Sequence, residues 1–350
     1  MMEKVIKADE IDKLKEIPVV FVLGTGRSGT TLLQSLLDAH PNIVAPPETK
    51  FIAILYPRFS SIKKWTESDI IDFVDSLKMD PQFVEYWNIN WDLLLKNLMA
   101  AREVADFSLI CKMVYYQMKR DKGDVKLISD KNPLYILFID KLRVLYPNGK
   151  FIHIVRDPRA VINSTMKTFS MKNYIFNANG WVIQNSIIES DKKNNPSKYF
   201  TIKYEKLVED TEGTLKDLCG FLNLPFNEEM LTHKIPDMSH NRKFEKKYLE
   251  KIHKSLTKPV NIESINKWEG ELKAEEKIIV EYITGEFANT KYGYNTNVSK
   301  RSTGIPVILI IWKMIVFNLW IGFTRFRFSN LSFNLWYSKK FKKGRIGEAY

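Results

Sequence analysis

Short apolar runs, separated by longer mixed segments, are the main pattern along this chain of 350 residues. Four of the runs are rich in β-branched and aromatic residues and predict buried strands near 19–23, 126–129, 150–155 and 199–204. Between the first two strands lies a long stretch, about 50–120, whose pattern is helical. The chain's length and its 45% hydrophobic content indicate one large α/β domain with an appendage.

Large aromatic residues are frequent in the helical stretch. We interpret them as part of a helical core, and the alternative interpretation is an apolar pocket for an acceptor molecule. The group comprises Trp65, Trp87, Trp91, Tyr115 and Tyr116.

The first predicted strand runs directly into a glycine-rich turn and then into a helical pattern. Gly24, Gly26 and Gly29 allow backbone N–H groups to converge on an anion without interference from a Cβ atom. This order of strand, loop and helix is the layout of a phosphate-binding loop. ATP-binding loops carry a lysine directly after the last glycine, but here Thr30 takes that place and the charge lies on Arg27. The loop is therefore poorly suited to a γ-phosphate beside Mg²⁺ and suits a single phosphate.

A second phosphate-binding element follows the strand predicted at 150–155. Arg156 lies at the carboxyl end of that strand, and Asp157-Pro158 predicts the start of a helix with Asp as its N-cap. A guanidinium beside a helix N-terminus suits a phosphate. The alternative is an ion pair between Arg156 and Asp157 at the end of the strand. The phosphate-loop pattern earlier in the chain favours the phosphate site over this alternative.

The motifs around these two elements resemble those of sulfotransferases that use 3′-phosphoadenosine 5′-phosphosulfate (PAPS). The likeness is to the branch that contains protein-tyrosine sulfotransferases and many bacterial enzymes, and it runs from about Val19 to Tyr294. It implies a P-loop-like, three-layer α/β sandwich with a central parallel sheet. The matching stretches, in the family's order, are 26–31 with 37–41, 150–164, 199–222 and 257–268.

The resemblance assigns the nucleotide to a defined set of residues. The loop holds the 5′-phosphosulfate, Arg156 and Ser164 bind the 3′-phosphate, and Tyr204 lies near the adenine. Tyr204 is equally well explained as a half-buried aromatic of a strand. The whole set is Gly26, Arg27, Ser28, Gly29, Thr30, Thr31, Arg156, Ser164, Tyr204 and Lys267.

Sulfuryl transfer requires a base for the acceptor and positive charge at the leaving phosphate. The resemblance assigns the base to Glu48, and the alternative is an N-cap or surface carboxylate before a helix that begins at Thr49. The cation candidates are Arg27, Lys50 and Lys131. The family places a lysine like Lys131 near the bridging oxygen, and the alternative is an exposed loop lysine. At the position of Lys50 the tyrosine branch has arginine.

Three further features depart from the tyrosine branch. Pro46-Pro47 replaces a Gly-Glu pair and stiffens the entrance to the acceptor site. The first ten residues contain no apolar core of signal or anchor length, and Cys111 and Cys219 are too few for a disulfide framework. We therefore expect a catalytic domain in a reducing, cytoplasmic compartment, whose acceptor specificity is not inherited from the branch. The scattered histidines indicate no metal site.

The chain changes character after Tyr294. An apolar run, 304–324, has the length of a membrane span, but a lysine and an asparagine within it favour a helix at the membrane interface. A basic cluster at 339–345 suits anionic headgroups. We predict a sulfotransferase domain, 1–295, and a basic, apolar helical tail, 296–350, at the cytoplasmic face of a membrane. The alternative is a helix that packs on the domain or on a second copy.

Three functions are to be distinguished. The resemblance implies transfer of a sulfuryl group from PAPS to a hydroxyl or amine of a small molecule, saccharide, lipid or peptide. A P-loop kinase or NTPase would require the absent loop lysine and a magnesium-binding acid. A membrane-associated protein that binds adenosine 3′,5′-bisphosphate (PAP) without turnover is the non-catalytic alternative. Much of the formal net charge of +12 lies in the tail, which weakens a nucleic-acid function.

Overall fold

A computed structural model describes residues 5–80, 83–84, 87, 89–119, 122–168, 173–232, 262–295 and 307–329. Within these residues, a parallel sheet of five strands forms the centre of the molecule. The strands are β1 (Val19–Leu23), β2 (Ile43–Val44), β3 (Leu127–Lys131), β4 (Lys150–Val155) and β5 (Tyr199–Lys203). Their order across the sheet is β2-β3-β1-β4-β5. The predicted α/β class with a central parallel sheet is therefore confirmed.

The strand predictions differ from the structure at β2, β3 and β5. β5 ends one residue before the predicted end, and Tyr204 begins a helix, so it is not a strand aromatic. β3 extends to Lys131, two residues beyond the predicted end, so that Lys131 ends the strand itself and does not lie in a loop. β2 was not predicted, because two apolar residues, Ile43 and Val44, show no periodicity of their own. They form a strand because β3 offers a parallel edge, where Val44 lies opposite Ile128.

The described α-helices cover both faces of the sheet. Their bounds are α1 Ala8–Glu16, α2 Thr30–Ala39, α3 Phe51–Phe59, α4 Glu67–Lys78, α5 Trp91–Ala101, α6 Phe107–Tyr116, α7 Ile139–Leu145, α8 Pro158–Thr168, α9 Tyr174–Asn194, α10 Tyr204–Glu209, α11 Thr211–Leu222, α12 Glu263–Asn266, α13 Ala274–Tyr292 and α14 Val307–Ser329. Short 3₁₀ helices occupy Pro133–Phe138, Pro196–Lys198, Glu228–Thr232 and Lys267–Gly270.

Alternate side chains of β1 face two separate cores. Phe21 packs with the helices of the 51–116 region, whereas Val20 and Val22 pack with α2 and α11. This division follows from the strand period of two, which points successive side chains to opposite faces of the sheet. The result is three layers, with helices above and below the sheet.

The helical region 51–116 forms a large aromatic core. Trp65, Trp87 and Tyr115 are buried within it, and Trp91 and Tyr116 are partly buried against it. Three of its helices begin at capping side chains that accept a backbone N–H bond. These are Thr66 of α4, Asn90 of α5 and Asp106 of α6. The interpretation of the aromatic residues as a helical core is confirmed.

The tail helix α14 packs on the domain. It lies against α3 and α9, with Phe317, Ile321 and Thr324 buried and the Phe317 ring 4.9 Å from that of Phe176. Among the helices of the described residues, none is long and apolar enough to cross a membrane. The opposite face of α14 exposes large apolar side chains, which are Trp312, Ile315, Leu319, Phe323 and Phe326.

Several expectations about the tail stay predictions. The domain boundary at 295 and the basic cluster at 339–345 fall at or beyond the ends of described segments. Association of the tail with a membrane surface is likewise a prediction. The alternative in which the tail helix packs on the domain is correct for α14.

Candidate active site

The carboxyl ends of four parallel strands bring the predicted site residues to one edge of the sheet. The phosphate loop follows β1, Lys131 ends β3, Arg156 follows β4, and Tyr204 follows β5. The connections from β1 lead to β2 and β3 on one side, whereas β4 and β5 lie on the other. Ligands of open α/β sheets bind at such a switch point.

The loop at 24–29 has the shape of an anion cradle. Gly29 has a φ of +95°, and a Cβ atom there would clash with the ring of Tyr204. A Cβ atom on Gly24 would lie 2.5 Å from the carbonyl oxygen of Ile154, on β4. Inside the loop, the hydroxyls of Thr25 and Ser28 lie 2.6 Å apart. The loop therefore needs glycine at its two closest approaches to neighbouring elements.

Helix α2 begins directly at the end of this loop. Its first residue is Thr30, so the unpaired N–H groups and the positive end of the helix dipole face the loop. Arg27 adopts a left-handed backbone with a φ of +71°. Its Nε donates to the hydroxyl of Ser164 over 3.0 Å. This contact joins the loop to α8 across 137 positions of the chain.

Arg156 is the centre of a group that joins three elements. Its guanidinium lies 4.0 Å above the ring centroid of Tyr204. It donates to the carbonyl oxygens of Arg27, over 3.3 Å, and Ser264, over 2.7 Å. Its Nε is buried and has no hydrogen-bond partner among the described residues. A guanidinium with one buried donor still free is suited to receive an anion.

Ser264 was not found from the sequence. Its hydroxyl lies 2.8 Å from that of Tyr204, and its carbonyl accepts from Arg156. It connects α12 to the ends of β4 and β5 by contacts that span 60 and 108 residues. A serine in a short helix carries no local signal of such contacts.

The matching stretch 257–268 ends in Lys267 and Trp268, which begin a 3₁₀ helix that lies against α8. Trp268 is buried, with the guanidinium carbon of Arg159 4.1 Å from its ring centroid. Glu271 accepts a bond from Asn163 over 2.6 Å. Lys267, predicted as a nucleotide ligand, has a largely exposed side chain whose Nζ lies 3.8 Å from Glu271. The earlier part of the matching stretch, 257–261, lies outside the described residues.

Glu48, in the segment after β2, forms an ion pair with Lys131 at the end of β3. The Lys131 side chain is 7% exposed and the Glu48 side chain 27% exposed, so a partner can reach the carboxylate from one side. The N-cap of α3 is Lys50, a buried residue, so Glu48 does not cap a helix that begins at Thr49. Lys131 is likewise not an exposed loop lysine. The N-cap interpretation of Glu48 and the exposed-loop interpretation of Lys131 are therefore wrong, whereas Glu48 is still a partly exposed carboxylate.

A buried carboxyl group lies beside Lys131 in the chain. Asp130 is on the opposite face of β3, among residues of the aromatic core, and Tyr115 donates a hydrogen bond to it. Burial raises the pKa of Asp130 to about 7. This group was not predicted from the sequence, because its partner Tyr115 is on α6.

The structure thus forms two groups from the predicted residues. Arg27, Ser164, Arg156 and Tyr204 are connected through direct contacts, and Glu48 pairs with Lys131. Lys267 is not in contact with either group in the described contacts. Within the described residues, no set of histidine, cysteine and acidic side chains is arranged to hold a metal ion.

Comparison with known proteins identifies this architecture. The profile of the Sulfotransferase family matches residues 18–228. Protein-tyrosine sulfotransferase 1 of Danio rerio is 26% identical over 309 residues, which are 85% of this chain and 78% of that protein. Protein-tyrosine sulfotransferase 1 of Homo sapiens is 27% identical over 308 residues, which are 83% of this chain and 74% of that protein.

Two solved structures share the fold. The sulfotransferase domain of the Synechococcus PCC 7002 olefin synthase has a TM-score of 0.52 and 22% identity, covering 82% of this chain and 98% of that one. The sulfotransferase domain of the curacin biosynthetic pathway has a TM-score of 0.53 and 22% identity, with coverages of 78% and 98%. The P-loop-like α/β fold that the resemblance implied is confirmed.

The predicted location is wrong. The tyrosine sulfotransferases among the relatives are Golgi membrane enzymes with a lumenal catalytic domain, which contradicts a cytoplasmic catalytic domain. The prediction relied on a polar N-terminal stretch and on the count of two cysteines. Neither feature determines a compartment, because a large α/β domain is stabilised by its core and does not depend on disulfides.

The profile covers more than half of the chain, and the matched relatives and folds agree with it. The chain belongs to the sulfotransferase family and is a sulfotransferase.

Proposed function

We propose that this enzyme transfers the sulfuryl group of PAPS to the phenolic hydroxyl of tyrosine in a peptide or protein, with residues 1–295 as the catalytic domain. The observation that carries the proposal is the pairing of Glu48 with Lys131 beside the phosphate loop. The anion cradle follows β1, the partly exposed carboxylate follows β2, and its partner Lys131 ends β3, which lies between these two strands. Together they supply the two requirements of sulfuryl transfer.

The nucleotide fits the group around Arg156. The cradle at 24–29 would hold the 5′-phosphosulfate through backbone N–H groups and the hydroxyls of Thr30 and Thr31. Arg156, with its free buried Nε, and Ser164 would bind the 3′-phosphate. Tyr204 would lie beside the adenine, and Lys267 would supply charge at the outer edge. PAPS supplies the sulfuryl group and the leaving phosphate.

Glu48 acts as the base for the acceptor hydroxyl. Its ion pair with the nearly buried Lys131 holds the carboxylate at the carboxyl end of β3. Once Glu48 is protonated, its attraction for Lys131 falls, and the ammonium group can stabilise the charge that develops on the leaving phosphate. Arg27 and Lys50 would add positive charge at the same place.

The acceptor is inferred from the relatives and from its acidity. The matched animal proteins are named protein-tyrosine sulfotransferases. A phenol has a pKa near 10, which is lower than that of an aliphatic alcohol. A carboxylate base therefore removes the proton of a phenol at a smaller cost in free energy. A tyrosine side chain is therefore the acceptor that a glutamate base serves best.

The test is transfer of radiolabel from [³⁵S]PAPS in the presence of EDTA. A tyrosine peptide should become labelled, and the same peptide with phenylalanine at that position should not. Labelling of a saccharide or lipid in place of the peptide would contradict the proposed acceptor. Binding of PAP without transfer to any acceptor would indicate a non-catalytic protein, and transfer from γ-labelled ATP with Mg²⁺ would indicate a kinase.

A further inference from the structure

The segment that carries Glu48 has no regular secondary structure between β2 and α3. It includes Pro46 and Pro47, which have no backbone N–H groups. At these two positions the backbone can form hydrogen bonds only through its carbonyl oxygens. The stiffness that two prolines give the backbone does not by itself fix where the next side chain lies.

Three side chains donate to carbonyls on both sides of Glu48. Gln34 Nε2 donates to Pro46 over 2.9 Å, and Trp87 Nε1 donates to Pro47 over 3.2 Å. Asn132 Nδ2 donates to Thr49 over 2.8 Å. The three donors come from α2, from the segment between α4 and α5, and from the residue after β3.

All three donors are buried, which strengthens these bonds and holds the side chains in place. Gln34 is 7%, Trp87 2% and Asn132 0% exposed. The carbonyl oxygen of the Asn132 side chain accepts from the N–H of Leu134, so both ends of its amide are engaged. Because Asn132 follows Lys131 directly, it ties the segment of the base to the strand that carries its ionic partner.

We propose that Gln34, Trp87 and Asn132 form a carbonyl clamp that positions the carboxylate of Glu48. They are positioning residues, because each acts through the backbone and not on the reacting atoms. The inference rests on the proposed role of Glu48 as the base. A misplacement of a catalytic group by about 1 Å is enough to slow a reaction substantially.

The clamp is tested with Trp87→Phe, which removes the indole N–H and keeps an aromatic ring among Phe51, Phe83 and Tyr115. Trp65→Phe is the matched control, because the Trp65 indole is buried in the same core and its N–H has no described partner. We expect Trp87→Phe to lower kcat on the tyrosine peptide roughly threefold to tenfold, the size of one lost hydrogen bond. The KM for PAPS and the Kd for PAP should not change.

A measurement on the free protein avoids dependence on the acceptor. Hydrogen exchange at the amides of residues 48–50 should accelerate in Trp87→Phe and not in Trp65→Phe. Gln34→Met provides a second variant of matched length, since the side-chain oxygen of Gln34 has no partner to lose. It should accelerate exchange in the same residues. Unchanged exchange in both Trp87→Phe and Gln34→Met would overturn the clamp.

Combination with Glu48→Gln separates positioning from general damage. Once the base is absent, its position no longer matters, so Trp87→Phe should add no further loss to Glu48→Gln. Additive losses, or a parallel fall in PAP affinity, would show that Trp87 serves the fold and not the base. Should Glu48→Gln alone retain the wild-type kcat, the proposed base would be wrong. If Glu48→Gln lowers kcat while the clamp variants keep the wild-type kcat, only the clamp is refuted.

Discussion

The phosphate loop follows β1 and the segment that carries Glu48 follows β2, with β3 between these strands, and the two are shaped by different means. The loop at 24–29 contains its own glycines and its own Thr25–Ser28 hydrogen bond. The segment at 45–50 instead depends on donors from distant parts of the chain. A loop of the first kind is recognisable from its residues, whereas a segment of the second kind acquires its shape only in the folded protein.

The two regions also have different chemical roles in the proposed mechanism. The loop region offers backbone N–H groups and arginine side chains, which bind anions with little dependence on small movements of one residue. In the proposed mechanism, the Glu48 region supplies one carboxylate that must meet one proton, which demands accurate placement. Changes in the two regions are therefore expected to affect different measurements.

The largest effect is expected for Glu48→Gln. Loss of the base should reduce kcat roughly a hundredfold or more, as for other positioned bases, because the amide cannot take the acceptor proton. The affinity for PAP, measured by calorimetry, should stay at the wild-type value. A wild-type kcat, or a fall in PAP affinity of the same size, would remove the distinction between the two regions.

Gly29→Ala tests the region that is shaped locally. With a φ of +95° and the Tyr204 ring against its Cα, alanine is strained at this position. We expect the free energy of unfolding to fall by about 2 kcal/mol, with PAP affinity reduced about tenfold, since 1.4 kcal/mol corresponds to that factor. Gly26→Ala is the control for unfolding, because a Cβ atom there meets nothing within 4 Å. Equal unfolding energies for the two variants would contradict the close approach.

The parts of the site that are encoded by neighbouring residues could be predicted from the sequence. The strand, the loop and the start of α2 were predicted because each is encoded within a few neighbouring residues. The identity of Glu48 and Lys131 as site residues came from the resemblance, but their ion pair did not, because it joins residues 83 positions apart. Ser264, Gln34 and Asn132 carry no local pattern, and long-range packing alone brings them to the site.

Ser264→Ala is expected to have a smaller effect. The backbone carbonyl that accepts from Arg156 remains, and only the hydroxyl contact with Tyr204 is lost. PAP affinity should fall roughly threefold to tenfold, as for one neutral hydrogen bond. Tyr204→Phe should have a similar effect, and the double variant should be no weaker than either single one. Additive losses in PAP affinity would show that the two hydroxyls act independently.

The smallest functional effect is expected at Asp130, which lies beside the site without facing it. Its pKa is near 7 in the folded protein and near 4 when unfolded, so the folded state binds more protons between these values. Its contribution to stability must therefore fall as pH rises from about 4 to 7. Asp130→Asn should raise Tm at pH 8 more than at pH 5, whereas exposed Asp140→Asn should not. A Tm gain independent of pH would contradict the assignment.

The most direct test of the account is the affinity of the wild-type enzyme for three nucleotides, measured by calorimetry in EDTA. If Arg156 and Ser164 bind a 3′-phosphate, PAP should bind far more tightly than AMP or ATP, because each charge-assisted bond contributes about 1.5–3 kcal/mol. Arg156→Ala should remove most of this preference and leave AMP affinity nearly unchanged. Equal affinity of the wild-type protein for PAP and AMP would contradict the proposal of a PAPS site.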